Sequence, residues 1–169
     1  NTYGSAYTSP VSTFTTPTGP PVLSAPTSTA VTSGAATLGG TLIHHGGASV
    51  SGCGVVYALT SVNADPQLGG SGVTQLTTSA TAGTFTVNAS GLLPATSYTF
   101  RAYASSSLGT GYTTPAATFA TLPLLPTVTT PTFDNVAAQA ATLGGHVTSD
   151  GAGGITERGV VCAPTATNS

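Results

Sequence analysis

One stretch decides the fold of this chain: Leu92-Leu93-Pro94-Ala95-Thr96-Ser97-Tyr98, continued by Thr99-Phe100-Arg101-Ala102-Tyr103-Ala104. A proline turn comes first, and large apolar side chains then alternate with others. Because successive residues of a β-strand point to opposite faces, this alternation predicts a strand with one buried face. The predicted inner face carries Tyr98, Phe100, Ala102 and Ala104, and the outer face carries Thr99, Arg101 and Tyr103.

The same period-two alternation recurs in short segments on both sides of this stretch. Turn-forming Gly, Pro, Asn and Asp separate the segments, and β-branched Thr and Val dominate within them. Six further strands are predicted, at 36–43, 50–60, 72–78, 84–87 and 112–121, with a proline-broken edge strand at 22–31. Seven short strands divided by turns predict an all-β fold, an antiparallel sandwich of two sheets.

The chain repeats itself with a period of 105 residues. Thr37-Leu38-Gly39-Gly40 recurs as Thr142-Leu143-Gly144-Gly145, and Gly54-Val55-Val56 recurs as Gly159-Val160-Val161. Residues 1–64 overlay 106–169 without a gap, and 24 of the 64 pairs are identical. The identities include Tyr, Phe, Pro and Gly, so biased composition does not explain them. A period of this length is typical of one domain.

The repeat divides the 169 residues into three parts. We expect residues 20–122 to form one complete β-sandwich repeat, 1–17 to be the final strand of a preceding repeat, and 126–169 to supply the first strands of a following one. Proline-rich joints at 16–21 and 122–126 are read as short, stiff linkers. We expect the chain to be a window of a longer tandem array, and the alternative is strand donation between chains.

Composition excludes several classes of function. Only 4% of the residues are charged, with two Arg and four acidic residues, whereas 34 Thr and 18 Ser carry hydroxyl groups. Two cations cannot build the basic face that nucleic acids need. No run of about 20 apolar residues is present to cross a membrane. A surface with so little charge has little self-repulsion and favours association.

The stretch quoted above carries a family resemblance. It resembles the tyrosine corner of fibronectin type III domains, Leu-x-Pro-x-Thr-x-Tyr, which Leu92, Pro94, Thr96 and Tyr98 match. The resemblance implies a tyrosine ring packed inward, with its hydroxyl bonded to backbone upstream. The Thr-Leu-Gly-Gly strand and the later run Thr156-Glu157-Arg158-Gly159-Val160-Val161 are similar to a bacterial extracellular, cell-surface subtype with tandem repeats. The core Trp of the wider family is absent.

Candidate catalytic and metal-binding residues are few. His44 and His45 are adjacent and would point to opposite faces of a strand, and His146 has no partner in sequence. We therefore expect no metal site and no cofactor. Asp65 and Asp134 fall in turns or edges, and Glu157 has Arg158 beside it. No nucleophile elbow or phosphate-binding loop with Lys occurs, so we expect that the chain is not an enzyme.

The two cysteines do not coincide under the repeat. Cys53 overlays Arg158, and Cys162 overlays Tyr57. One reading is two independent thiols, one in each unit. The other is a disulfide between neighbouring units or neighbouring chains, which an oxidising compartment would permit.

These observations favour a structural repeat protein of an extracellular filament, sheath or cell-surface array, with units joined head-to-tail. The expected partners are copies of itself or adjacent repeats of the same chain. One alternative is an adhesive or glycan-binding surface module, for which Tyr3, Tyr7 and Tyr112 are candidate exposed aromatics. Another is an accessory spacer domain of a secreted polysaccharide-degrading enzyme.

Overall fold

A computed structural model describes residues 3–7, 9, 10, 12, 13, 15 and 18–164 of the chain. Within these residues the chain forms twelve strands. The strands are β1 Val22–Thr29, β2 Ala35–His44, β3 Val50–Leu59, β4 Thr74–Thr78, β5 Gly83–Ser90, β6 Ser97–Ser106, β7 Gly109–Tyr112, β8 Ala117–Ala120, β9 Thr127–Val128, β10 Thr132–Ala137, β11 Ala140–Gly144 and β12 Val147–Ser149.

The first eight strands form a sandwich of two antiparallel sheets. The smaller sheet has the order β1-β2-β5, and the larger has the order β4-β3-β6-β7, with β8 also paired to β6. All of these pairings are antiparallel. The predicted all-β antiparallel sandwich is therefore confirmed. We call residues 20–122, which contain these strands, the complete unit.

The core of the complete unit lies between the two sheets, where the alternating strands direct their apolar side chains. The inner face of β6 takes part as its alternation predicts. The smaller sheet contributes large side chains to the same cluster, and so does β3. The principal members are Leu23, Leu38, Leu42, Val55, Tyr57, Phe85, Leu92, Tyr98, Phe100 and Phe119. Three aromatic pairs within this set have ring centroids 5.4 to 6.0 Å apart.

The strand predicted at 112–121 contains only the last residue of β7 and all of β8, and both strands pair with β6. The break falls at Thr113–Ala116. Thr113 holds this break against β6, because its Oγ1 accepts a hydrogen bond from the Ala102 N–H at 3.1 Å. Its own N–H donates to the Ala102 carbonyl at 2.9 Å. Pro115 lies in the break, and a proline has no N–H to continue a ladder.

The outer face of the larger sheet is also buried, which alternation alone does not predict. Thr99 and Tyr103 are 2% and 1% exposed, although they lie opposite the core side of β6. The segment between β3 and β4 packs against this face. Pro66 of that segment is fully buried, and the Leu68 N–H donates to the Tyr112 hydroxyl at 3.1 Å.

The start of the complete unit is repeated in three dimensions 105 residues later. In the complete unit Leu23 pairs with Leu42, and Thr27 pairs with Gly39 across a bulge. The equivalent residues pair in the same way, since Val128 lies opposite Val147 and Thr132 lies opposite Gly144. The bulge divides the second copy into two short ladders, β9-β12 and β10-β11. We call the described residues 126–164 the second unit.

The second unit has two β-ladders, and the segment equivalent to β3 is not a strand. Residues 155–164 form no strand, although 50–59 do. In the complete unit β3 is paired on both sides, by β4 and β6. No equivalent of either strand lies beside 155–164 in the described part of the chain. No strand is assigned within the described residues of 3–15, and residues 1, 2, 8, 11, 14, 16, 17 and 165–169 lie outside the description.

Candidate functional site

The turn before β6 closes one end of the sandwich. Tyr98 is buried, and its hydroxyl accepts a hydrogen bond from the Leu93 N–H at 2.9 Å. Its ring stacks on Phe119 of β8 with centroids 5.4 Å apart. Leu92 is buried beside it, and the Thr96 hydroxyl donates to the Pro94 carbonyl at 2.7 Å. These contacts fix the end of β8 against the turn.

The same turn fixes the point at which the chain leaves the sandwich. The buried Thr121 hydroxyl donates to the Leu93 carbonyl at 2.6 Å and accepts from the Thr96 N–H at 2.9 Å. The Leu122 N–H donates to the Thr32 carbonyl at 3.0 Å, and its carbonyl accepts from the Ala95 N–H at 3.1 Å. Hydrogen bonds therefore fix the backbone as far as Leu122, the first residue of the proline-rich joint at 122–126.

The segment that enters each unit packs on a glycine turn. In the complete unit the Gly19 N–H donates to the Gly46 carbonyl at 2.9 Å, and a Cβ at Gly46 would overlap the Gly19 carbonyl oxygen. In the second unit a Cβ at Gly151 would overlap the Leu124 carbonyl oxygen. Both glycines have φ near +70°, a conformation that side chains rarely adopt. In both units the incoming segment thus packs against a glycine at the equivalent position.

The second unit leaves apolar side chains open where the complete unit buries them. Leu143 is 42% exposed and its equivalent Leu38 is 0% exposed. Val160 is 50% exposed and its equivalent Val55 is 0% exposed. In the complete unit both positions face the core between the two sheets. The second unit therefore exposes apolar side chains whose equivalents form the core of the complete unit.

The two thiols are in opposite environments. Cys53 lies in β3 within the core, and Cys162 is exposed beyond the last strand. Both are free. Burial raises the pKa of the Cys53 thiol, and a backbone hydrogen bond at Gly54 opposes the shift. The disulfide between units or chains, one of the two readings of the cysteines, stays a prediction, because the single chain brings no second sulfur to either residue.

A cluster on the outer face of the larger sheet was missed by the sequence reasoning. The Arg101 guanidinium donates to Asp65 at 2.6 Å, to the Thr113 carbonyl at 2.8 Å and to the Thr114 hydroxyl at 2.9 Å. It also lies 5.1 Å from the centroid of the Tyr112 ring. Through these hydrogen bonds the Arg101 guanidinium holds the β3–β4 segment on the larger sheet. The available signal was that one cation and one acid are the only charged residues of this unit.

The residues considered for metal binding or catalysis remain apart. The His44 Nδ1 accepts a hydrogen bond from the Gly46 N–H at 2.9 Å, which makes it part of the glycine turn. His45 and His146 are exposed. Among the described residues no three of His, Cys, Asp and Glu lie together as metal ligands would. A depression of about 330 Å³ is lined by the single run Ile155–Arg158, so separate elements do not converge on it.

The three candidate tyrosines differ in exposure. Tyr3 and Tyr7 are almost fully exposed, whereas Tyr112 is half-buried beneath Arg101.

No helix long and apolar enough to cross a membrane is found in the part of the chain that the structure describes.

Comparison with known proteins identifies no family. No family model matches the chain, and no curated protein matches it. Among solved structures, domains of titin match with 18% identity and a TM-score of 0.42 over 63% of this chain and 32% of that one. The sensor domain of the anti-sigma factor RsgI4 from Pseudobacteroides cellulosolvens matches with 18% identity and a TM-score of 0.43 over 62% of this chain and 96% of that one. The chain spans about a third of the titin structure.

Proposed function

We propose that this chain is a structural part of an extracellular tandem-repeat protein, with fibronectin type III-like units joined head-to-tail into a filament, sheath or cell-surface array. The observation that carries the proposal is the recurrence of one strand register and one entry site after 105 residues. Leu23–Leu42 and Val128–Val147 are equivalent pairs, and Gly46 and Gly151 receive equivalent backbone. Further units can follow one another along the chain by reusing the same register and the same entry contact.

The joint between the units supports a mechanical role. Hydrogen bonds fix the exit of the complete unit as far as Leu122, and the Leu124 carbonyl packs against Gly151 at the entry to the second unit. Pro123 lies between them and packs against Gly153, with a Cβ there falling 3.2 Å from the proline ring. Proline restricts φ and stiffens such a connection. These contacts and the proline restrict the joint, which suits a spacer that transmits length and direction.

The composition supports an extracellular assembly. Units with two arginines and four acids in all repel one another weakly and can pack through Thr, Ser and Ala without desolvating ions. In this proposal the chain performs no reaction. The adhesive alternative loses one of its three candidate tyrosines, because the Arg101 guanidinium lies over the Tyr112 ring.

Electron microscopy of the protein isolated from its native cells tests the proposal. Strands of eight to ten residues are about 30 Å long, so we expect straight filaments with an axial repeat of about 35 Å. Antibodies against residues 20–122 should label the outside of intact cells. Labelling confined to the cell interior, or particles without a fixed axial repeat, would contradict the proposal.

A further inference from the structure

The edges of the complete sandwich are unequally protected. Natural proteins block edge strands with proline, bulges, charge or short length, since an open edge offers its backbone to other chains. The edge strand β1 contains Pro26, two register shifts and Ala25 at a φ of 52°. The strands β7 and β8 have four residues each and are separated by Pro115, and β4 has five residues.

The remaining edge strand, β5, has none of these protections. Its eight residues pair with β2 in unbroken register, from Ala35–Ser90 to Leu42–Gly83. It contains no proline and no charged residue. Among the described strands β2 is its one hydrogen-bonded neighbour, so the N–H and C=O groups on the other edge of β5 form no ladder hydrogen bonds, although β4 of the larger sheet packs close to β5.

We propose that the free edge of β5 pairs with β5 of a second copy of this chain, in antiparallel orientation about a two-fold axis. The two three-stranded sheets would then form one continuous six-stranded sheet. This inference deepens the proposed function, on which it rests, by naming the surface through which neighbouring arrays bind side by side.

A second copy fits this edge because the pairing is self-complementary. A two-fold axis perpendicular to the sheet keeps Phe85, Val87 and Ala89 of both copies on their core sides. The outward side chains that face one another across the axis are then all polar and uncharged, and these are Thr84, Thr86, Asn88 and Ser90. No ion is desolvated, and hydroxyl and amide groups at such positions pair by hydrogen bonds.

The interface of one strand pair is small, so a single chain should dimerise weakly, with a dissociation constant on the order of 0.1 mM. In a tandem array every unit repeats the same edge. Linked weak sites gain avidity without new contacts, so lateral binding becomes stable when many units align.

A matched pair of substitutions tests the proposal in the full chain. Thr86 and Thr27 flank Gly39 on opposite sides in the same sheet row, and both are exposed. Thr86→Lys places an ammonium group on each side of the proposed axis, and Thr27→Lys places one on the proline-protected edge. By sedimentation equilibrium we expect Thr86→Lys to weaken dimerisation at least ~10-fold, partly restored by salt, and Thr27→Lys to leave it unchanged.

Cross-linking supplies a second readout that charge effects do not move. In a Cys162→Ser background, Thr86→Cys should give an oxidised dimer on a non-reducing gel and Thr27→Cys should not. Equal effects of the two lysine variants, or a wild-type chain that stays monomeric at millimolar concentration, would overturn the β5 pairing. Filaments that keep their axial repeat without lateral contacts would refute this inference alone, whereas β5 dimers without any filament would refute the proposed function alone.

Discussion

The complete unit and the second unit begin with related sequence and the same strand register, yet they differ in what they bury. Leu38 and Leu143 lie in identical Thr-Leu-Gly-Gly runs, but Leu38 is fully buried and Leu143 is 42% exposed. The difference lies in the opposing sheet, which the complete unit possesses. A β-hairpin without a second layer is marginally stable in water. Local pattern therefore sets strand pairing, and the second layer supplies the stability.

The largest expected contrast is in hydrogen exchange of the full chain. Amides in the ladder of β3 with β6 should exchange only through global unfolding, because both strands are buried in the core. Amides in the ladder of β10 with β11 should exchange through local opening. We expect protection factors to differ by at least ~10³, measured by mass spectrometry or NMR. Similar protection in both ladders would contradict the comparison.

Equivalent leucines should respond differently to truncation. Leu38→Ala removes a fully buried side chain and should destabilise the complete unit by about 3 kcal/mol. Leu143→Ala should change the main unfolding transition by no more than about 0.5 kcal/mol. Urea unfolding followed by circular dichroism measures both. Equal losses would show that the second unit contributes a core of its own.

The corner before β6 should contribute a smaller, local effect. Tyr98→Phe removes the hydroxyl that accepts the hydrogen bond from the Leu93 N–H. This half-buried donor is then left without that partner. We expect a loss of about 1–2 kcal/mol in the free energy of unfolding. Tyr7→Phe is the control, because that side chain is almost fully exposed, and it should leave the unfolding free energy unchanged. A Tyr98→Phe variant as stable as wild type would show that the Tyr98–Leu93 hydrogen bond does not contribute to stability.

The smallest expected effect is the pH dependence contributed by Cys53. Its pKa is raised by burial, so the unfolded state loses the thiol proton at a lower pH than the folded state does. This contribution to stability is fully present below the unfolded-state pKa, near 8.5, and is lost as pH rises toward the folded-state pKa.

Variants at the two thiols isolate that contribution. Between pH 8 and 9.5, Cys53→Ala should reduce the decline of unfolding free energy with rising pH, and Cys162→Ala, at the exposed thiol, is the control. Urea titrations at each pH give the slopes. A thiol reagent should label Cys162 in the native chain and Cys53 only after unfolding. Rapid native labelling of Cys53 would contradict the buried position.

The strands were predictable because their signal is local. Alternation located β6 within two residues at its end, and Phe100 and Ala102 point to the core as expected. The division of 112–121 was missed, since the hydrogen bond of Thr113 to Ala102 joins residues on different strands. The packing of the β3–β4 segment was also missed. It depends on Arg101 reaching Asp65, which lies 36 positions earlier in the chain.

The sequence by itself determined the period of 105 residues, the all-β class and the side chains that β6 turns inward. These properties follow from spacing along one chain, where residues two apart share a face. Tertiary structure alone decided which apolar face is covered, which edge strand stays open and where the few charges meet. Burial and pairing depend on what lies opposite in space, and identical segments such as Thr37–Gly40 and Thr142–Gly145 carry no information about that.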